Sequence, residues 1–283
     1  MNLLDLRVDN ALRNRPALEA LRPVVEKEIL HHDILRVMAR MGHLSELVFM
    51  GGTCLRDVYG SPRLSEDLDF AGGVKFHKND LSNLGAHISD AIQEKYSFSV
   101  SVTEPTRETG DTTTWKIRII TRPGRPDLPM QRINIDICAL PSHDSQPAMI
   151  QQHYGGDMGT AGLVLHAESR REILADKIVA LALRRSQVKH RDIWDILYLL
   201  QYEIAVDPSL VEHKLADRAV KRASFMTQLH DRVSGLDSAY GSYQQEMRRF
   251  LPTDQAEPVL QNPAYWQYAV GRLKDLVTAL NTK

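Results

Sequence analysis

Residues 49–70 read FMGGTCLRDVYGSPRLSEDLDF, and this stretch decides the predicted fold. The apolar run from Leu47 to Met50 predicts a buried strand, which ends at the adjacent residues Gly51 and Gly52. Thr53 is then predicted to cap a short helix, whose first amide groups point outward and can bind phosphate. We therefore expect a strand, a glycine turn and a phosphate-binding helix start in succession.

Two acidic residues follow this turn at a spacing typical of a strand. Asp67 and Asp69 alternate with Leu68 and Phe70, so both carboxylates are expected on one face while the apolar pair packs behind them. Carboxylates this close repel each other unless a cation lies between them, and hard oxygen ligands suit Mg²⁺ or Mn²⁺. A phosphate-binding turn beside a carboxylate pair predicts nucleotidyl transfer, with an NTP as substrate and a divalent metal as cofactor.

The pattern Gly-Gly-Thr-x-Leu-Arg-x-x-Tyr-Gly-x-x-Arg-x-Ser-Glu-Asp-Leu-Asp-Phe resembles the first motif of the AbiEii-type nucleotidyltransferase toxins. These toxins are a branch of the DNA polymerase β-like superfamily that includes the mycobacterial MenT toxins. Asp176-Lys177 and Arg191-Asp192-x-x-Asp195 resemble later motifs of the family, so the likeness spans residues 45 to 200. It implies an α+β fold, in which residues 1–165 form a polymerase β-like mixed sheet flanked by helices. Residues 166–283 would form a helical domain that contributes a lysine and an aspartate to the active site.

Hydrophobic periodicity predicts the remaining elements. Helical spacing occurs in residues 16–41, as two helices or one helix broken near Pro23, and again in residues 77–96. Strand alternation occurs in residues 98–102, 112–120 and 132–137, which with the two strands of the first motif gives a mixed sheet of five strands. Residues 141–168 predict a loose connection, and the chain beyond it is predominantly helical, beginning with a helix over residues 168–185.

Asp136 is a candidate third carboxylate. Ile133, Ile135 and Ile137 share one face of their strand, so Asn134 and Asp136 share the other. If this strand lies beside the one that carries Asp69, Asp136 is close to the metal site. The resemblance implies that such a carboxylate binds a second metal or activates the attacking hydroxyl. The alternative is a polar residue on the exposed face of a sheet.

A basic cluster follows in the predicted helices. Between Arg170 and Arg191 there are seven lysines or arginines and two acidic residues, a local charge of +5. A solvated face and contact with an RNA backbone both explain such a cluster. Lys177 lies among apolar residues, where an ammonium needs a partner, and it shares a stripe of its helix with Arg184. A lysine that reaches solvent along its aliphatic chain is the alternative.

The resemblance assigns roles to these residues. Lys177 would neutralise charge on the pyrophosphate leaving group, and Asp192 would complete the site, with a salt bridge to Lys177 as one route. Asp195 would have a structural role or would hold the active-site residues in position without contacting the substrate. The implied catalytic residues are Asp67, Asp69, Asp136, Lys177 and Asp192, with metal bound by the first three, and the implied nucleotide-binding residues are Gly51, Gly52, Thr53, Arg63, Ser65 and Arg184.

Composition limits the classes of partner. The chain has 283 residues, of which 43% are hydrophobic and 25% charged, and its formal net charge is −1. Because the chain as a whole is not basic, a nucleic acid would have to bind to a local basic patch. Two cysteines provide no disulfide framework, which favours a reducing cytoplasm. We expect neither a signal peptide nor a membrane-spanning helix, and no DNA partner.

The predicted function is that of a toxin in a bacterial toxin–antitoxin system. The resemblance implies transfer of a nucleotide to RNA, with the 3′ end of tRNA as first choice, which would stop translation. It also implies a cognate antitoxin, which could act by phosphorylating Ser65, two residues before the first aspartate. Two alternatives remain at this point: transfer of a nucleotide to a protein or small molecule, and an inactive module that binds RNA or a partner.

Overall fold

A mixed sheet of seven strands is the central element of the computed structural model, which describes residues 2–106, 111–125, 127–185 and 187–281. The strands are β1 Val48–Met50, β2 Leu68–Ala71, β3 Ser99–Thr103, β4 Thr112–Ile120, β5 Gln131–Cys138, β6 Ser145–Met149 and β7 Val164–Glu168. Their order in the sheet is β3-β4-β5-β2-β1-β7-β6. β2 is parallel to β5, and β7 is parallel to β1, whereas β1–β2, β3–β4 and β4–β5 are antiparallel.

The two faces of the sheet differ in burial because the side chains of each strand alternate in direction. The apolar positions of β4 and β5, such as Trp115 and Ile135, are buried, while the intervening positions are half-buried or exposed. The helices associated with the sheet are α1 Leu3–Asn14, α2 Arg22–Arg40, α3 Gly51–Asp57 and α4 Leu84–Tyr96, with 3-10 turns at Pro16–Leu21, His43–Ser45 and Lys78–Leu81. One face of the sheet therefore packs in the core, and the other is open.

The remaining described elements are helical. They are α5 Arg170–Leu183, α6 His190–Gln201, α7 Pro208–Asp217, α8 Arg222–Ser234, α9 Tyr240–Met247, α10 Thr253–Leu260 and α11 Pro263–Asn281, with a 3-10 turn at Gly235–Ser238. Together with the sheet, they confirm the predicted α+β fold. No helix in the described part of the chain combines the length and hydropathy needed to cross a membrane.

The chain divides into two compact units. Unit 1 comprises Met1–Gly60 and Leu64–Ala167, and unit 2 comprises Ser61–Arg63 and Glu168–Lys283. The assignment of two domains at residues 1–165 and 166–283 remains a prediction, because compactness alone does not show that either part folds independently.

The expectation of five strands was wrong. Residues 141–168, predicted as a loose connection, contain β6 and β7, and β7 pairs with the central strand β1 through Val48 and His166. β6 contains Pro147 and lies at the edge of the sheet, the position where a missing backbone donor is tolerated. Each strand has five residues and weak alternation, so neither gave a clear signal in the sequence.

Candidate active site

The glycine turn at the start of α3 lies close to the carboxylate of Asp69. Gly51 has a φ angle of +74°, a left-handed conformation that strains any residue with a side chain. A Cβ atom at this position would lie 2.8 Å from Oδ2 of Asp69. Glycine is therefore needed here for its backbone conformation and for the close approach of the carboxylate to the helix start.

Thr53 does not cap α3, contrary to the sequence prediction. The residue at the N-cap is Met50, and Thr53 is the third residue of the helix. Its buried hydroxyl donates a hydrogen bond to the backbone oxygen of Asp67 and lies 2.7 Å from Oγ of Ser65. Thr53 thus fastens the helix start to the segment that carries the aspartates. This long-range contact was not visible in the local sequence pattern.

Asp69 and Asp136 are direct neighbours on adjacent strands. β2 and β5 are parallel and in register, with Asp69 opposite Asp136. Both residues are half-buried on the open face, and Oδ1 of Asp136 accepts a hydrogen bond of 2.5 Å from the hydroxyl of Thr114. The condition on which the candidate role of Asp136 depended, that its strand lies beside the one carrying Asp69, is met, while a metal-binding role for Asp136 remains a prediction.

Asp67 lies one residue before β2 rather than within it. Its Oδ1 accepts a hydrogen bond of 3.0 Å from the backbone amide of Asn134 in β5. This bond directs the Asp67 carboxylate toward the strand that carries Asp136. Asp67, Asp69 and Asp136 are all half-buried carboxylates, and the donor set is composed of the oxygen ligands that Mg²⁺ and Mn²⁺ prefer. The residues present therefore fit the metal that the fold implies.

A different acidic cluster has tighter spacing. Among the described residues, the set of three potential ligands whose atoms lie within 4.8 Å of one another is Glu168, Glu172 and Asp176. The ammonium of Lys214 lies 3.2, 2.7 and 2.8 Å from these three carboxylates. Burial and the nearby Asp176 carboxylate raise the pKa of Glu168. We assign this cluster to a lysine-centred ion network, because the place of a cation is already filled.

Lys177 and Asp192 form the predicted salt bridge within unit 2. Nζ of Lys177 lies 2.8 Å from Oδ1 of Asp192 and 2.8 Å from Oδ2 of Asp195, and Nη2 of Arg184 lies 2.7 Å from the other oxygen of Asp192. Burial alone would lower the pKa of Lys177, but attraction to the two carboxylates outweighs it, so the pKa lies above its usual value. The lysine is therefore a paired cation rather than one that reaches freely into solvent.

Asp195 is the most buried member of this network, and Arg63 is its second partner. Nε and Nη2 of Arg63 donate hydrogen bonds of 2.7 and 2.9 Å to the two oxygens of Asp195. The side chain of Arg63 is 3% exposed and that of Asp195 0%. Arg63 thus has a buried ionic partner, and its assignment to nucleotide binding remains a prediction.

Comparison with known proteins identifies the family. A model described as Nucleotidyl transferase AbiEii toxin, Type IV TA system, matches residues 33–272, which is more than half of the 283 residues. The chain belongs to the AbiEii family. Its enzymatic class, a nucleotidyltransferase, and its class as a toxin are thereby confirmed. Membership of a type IV toxin–antitoxin family also implies a cognate antitoxin as partner.

The solved structure of one nucleotidyltransferase toxin agrees with this membership at the level of the fold. MenT4, a nucleotidyltransferase toxin from Mycobacterium tuberculosis H37Rv, is similar at 17% identity, with a TM-score of 0.53 and coverage of 95% of this chain and 98% of that chain. JHP933 from Helicobacter pylori is 19% identical, with a TM-score of 0.47 and coverage of 92% of this chain and 97% of that chain. A search of curated proteins found no match.

A buried hydrogen-bond network centred on Glu28 supports the candidate active site, and the sequence did not predict it. Glu28 in α2 accepts hydrogen bonds from the backbone amide of Ser65 at 2.9 Å, from Nε of Arg56 at 3.2 Å and from the hydroxyl of Tyr154. Burial raises the pKa of Tyr154, so its hydroxyl keeps the proton that it donates to Glu28. This network holds the segment before Asp67 against α2. Its members lie far apart in the chain, and no local pattern joins them.

Proposed function

We propose that this AbiEii-family protein transfers a nucleoside monophosphate from an NTP to the 3′ hydroxyl of an RNA, specifically a tRNA, and thereby blocks translation. The observation that supports this most strongly is the register of Asp69 and Asp136 beside the left-handed turn at Gly51. This arrangement brings the carboxylates that we propose as metal ligands to the start of a helix whose first amides have no partners within the helix. A nucleotide triphosphate needs both features in one place.

The reaction replaces one phosphoester bond by another. The oxygen of the acceptor hydroxyl attacks the α-phosphorus, the bond from that phosphorus to the bridging oxygen breaks, and pyrophosphate leaves with the negative charge. Asp136 would accept the proton of the attacking hydroxyl, and Asp67 and Asp69 would hold Mg²⁺ or Mn²⁺ together with it. When bound, the metal supplies positive charge against the phosphate oxygens. The amides of Gly51, Gly52 and Thr53 would bind the triphosphate.

The ion network of unit 2 suits the role that the family resemblance gives to Lys177. Three cations, Lys177, Arg184 and Arg63, pair with the carboxylates of Asp192 and Asp195. Arg184 is its most accessible member, with 27% of the side chain exposed. We propose that Lys177 and Arg184 bind the departing phosphates while Asp192 keeps both side chains in position.

The decisive experiment incubates the purified protein with total tRNA, Mg²⁺ and each of the four α-labelled NTPs. We expect the label to enter RNA, and we expect Asp69→Asn and Asp136→Asn each to reduce its incorporation by about 10³-fold, since several kcal/mol of charge stabilisation are lost. Asp90→Asn is the matched control, because Asp90 is exposed on α4. Undiminished transfer by the Asp69 variant would contradict the proposed site.

The same assay separates the other candidate functions. A labelled product that resists RNase and is digested by protease would show a protein acceptor, and a label that remains in small molecules would show a small acceptor. Failure to transfer any of the four nucleotides would favour an inactive module that binds RNA or a partner. Intact carboxylates at positions 67, 69 and 136 support the enzyme.

We further propose that the cognate antitoxin acts through phosphorylation of Ser65. Oγ of Ser65 lies beside Thr53, and the residue is only two positions from Asp67. A phosphate there would add about two negative charges next to the proposed metal ligands and would break the contact with Thr53. Because Ser65 is buried, the modifying enzyme would need this segment to open first. Since the proposed target is translation, we expect the protein to act in the cytoplasm.

A further inference from the structure

The open face of the sheet carries three cations close to the carboxylates. Lys116 and Arg118 in β4 and Arg132 in β5 are exposed, and they occupy the positions that alternate with the buried core residues. Asp136 lies on the same face of β5, four residues after Arg132. We call Lys116, Arg118 and Arg132 the cationic strip.

The register of the strands places two of these cations directly opposite each other. Arg118 pairs with Arg132, and Lys116 pairs with Asn134, while Thr114 pairs with Asp136. Like charges opposite each other on antiparallel strands destabilise a sheet. The fold thus bears an electrostatic cost at Arg118 and Arg132, and an anion bound across the two strands would relieve it.

No carboxylate of the described residues relieves this repulsion. None of the three cations takes part in an ion pair or side-chain hydrogen bond within the described ranges, 2–106, 111–125, 127–185 and 187–281. By contrast, the exposed Arg125 in the loop between the same two strands is paired with Asp127 at 2.6 Å. The strip is therefore open to an external anion.

The spacing of the cations in the strip matches a ligand that carries several anionic groups in a row rather than a single anion. Side chains two residues apart on a strand are separated by about 6.7 Å, so Arg132 lies about 13 Å along β5 from Asp136. Lys116, opposite Asn134, falls between them. The strip thus extends away from the carboxylates in steps, as the phosphates of a single strand extend away from its terminal nucleotide.

The chemistry of this face favours contact with a nucleic-acid backbone. The exposed positions of β3, β4 and β5, all of which the structure describes, contain no aromatic side chain on which a base could stack. β3 adds the small hydroxyl residues Ser101 and Thr103 opposite Arg118 and Lys116. Cations and hydroxyls bind phosphates without reading sequence.

We propose that the cationic strip binds the phosphates that precede the 3′-terminal nucleotide of a single-stranded acceptor end, which directs the terminal hydroxyl toward Asp136. This inference rests on the proposed function and selects, among the acceptor classes, a polyanionic strand over a protein or a small molecule. The strip positions the acceptor and takes no part in the chemical step.

The test measures initial rates of nucleotide incorporation while the concentrations of tRNA and NTP are varied separately. For the double variant Arg118→Gln and Arg132→Gln, we expect the KM for tRNA to rise about tenfold or more, with kcat and the KM for NTP unchanged. The slope of log KM against log salt concentration should fall by at least about 0.7, the value for one phosphate contact, because Arg118 and Arg132 face each other across the two strands. An RNA dinucleotide, too short to reach Arg132, should show the same KM with both proteins.

One control variant and one further strip variant make the result specific. Arg40→Gln removes an exposed arginine at the end of α2, away from the sheet face, and should leave the KM for tRNA unchanged. Lys116→Gln removes the third cation of the strip, which faces Asn134 rather than another cation, and should also raise the KM for tRNA. The double variant removes a repulsive pair, so its thermal midpoint should equal or exceed that of the wild type.

The outcomes separate this inference from the proposed function. If the wild-type protein labels tRNA but the double variant keeps the same KM and salt dependence, the strip is not the acceptor site, and the proposed function stands. A rise in the KM for NTP alone would assign the strip to the triphosphate and overturn the inference. Failure of the wild-type protein to label any RNA would refute the proposed function itself, and the inference with it.

Discussion

Asp195→Asn is expected to destabilise the protein more than Asp192→Asn, although each change removes one charge from α6. Asp195 is fully buried and accepts two hydrogen bonds from Arg63, at 2.7 and 2.9 Å, in addition to the ammonium of Lys177 at 2.8 Å. Asparagine would remove the negative charge to which the buried guanidinium of Arg63 donates these two hydrogen bonds. The second partner of Asp192 is the more exposed side chain of Arg184, which water can solvate when the charge of Asp192 is removed.

The magnitudes follow from burial and from the pKa of Asp192. Removing one member of a buried ion pair costs about 3–5 kcal/mol, which we expect for Asp195→Asn. Burial alone would raise the pKa of Asp192, but Lys177 and Arg184 outweigh it and lower the pKa from 3.8 to about 2. That shift corresponds to about 2 kcal/mol at neutral pH, lost between about pH 4 and pH 2, and sets the expected cost of Asp192→Asn.

The assay is unfolding of the full chain in urea and by heat, followed by tryptophan fluorescence. Two of the three tryptophans, Trp194 and Trp266, lie in unit 2 and report on its unfolding. We expect the thermal midpoint to fall by roughly 10 °C for Asp195→Asn and by roughly half as much for Asp192→Asn. Asp231→Asn is the control, since the side chain of Asp231 is 74% exposed. A midpoint for Asp195→Asn equal to that of the wild type would refute the reasoning.

Three further predictions concern unit 1. Gly51→Ala should abolish nucleotide transfer and lower the free energy of unfolding by about 1–2 kcal/mol, because the added Cβ strains the turn and displaces the carboxylate of Asp69. Incorporation assays measure the loss of transfer, and thermal unfolding measures the loss of stability. The free energy of unfolding should fall as the pH drops below about 6.5, because burial lowers the pKa of His31 in the folded protein. As the pH falls, this histidine therefore binds a proton in the unfolded chain before it does so in the folded one. Urea titrations from pH 8 to pH 5 measure this change. Ser65→Asp should relieve growth inhibition in cells that express the protein, because its charge lies near Asp67.

Each of these three predictions has a matched control variant. Gly42 has a φ angle of +77°, but a Cβ added there would meet no atom within 4 Å, so Gly42→Ala should strain the backbone without loss of transfer. His230→Gln changes an exposed histidine and should leave the pH dependence as it is, whereas His31→Gln should weaken it. Ser65→Ala should remain toxic, and circular dichroism should show that Ser65→Asp is folded. Toxicity retained by a folded Ser65→Asp variant would argue against regulation at this position.

The sequence predicted those parts of the fold that depend on local alternation. The strand at Val48–Met50, the glycine turn and the strand that carries Asp69 were all expected within a few residues of their observed bounds. The isoleucines of β5 also predicted the face on which Asp136 lies, because a period of two leaves only two faces to choose between. The adjacency of β2 and β5 was a conditional expectation, and the register of Asp69 with Asp136 came only from the structure.

Long-range contacts account for what the sequence did not predict. Thr53 satisfied the local criteria for a helix cap, but its hydroxyl binds a segment that begins twelve residues later. Arg63 and Asp195 are 132 positions apart, and nothing in the spacing of either motif shows that they pair. The same holds for Glu28, since a carboxylate near other charged residues of α2 looks like a surface residue until its partners Arg56 and Tyr154 are known.

Ligand spacing alone would select a different acidic cluster of this protein as the metal site. Glu168, Glu172 and Asp176 have the closer spacing, but the ammonium of Lys214 lies within 3.2 Å of each, and Lys214 is itself only 3% exposed. A divalent cation there would have to displace or repel a buried ammonium, and a triphosphate has no access to the fully buried carboxylates of Glu168 and Glu172. Asp69 and Asp136 are less buried and lie where a helix start can bind phosphate. The choice between the two clusters therefore depends on access for the nucleotide and on the charge already present, and both criteria favour the pair on the open face of the sheet.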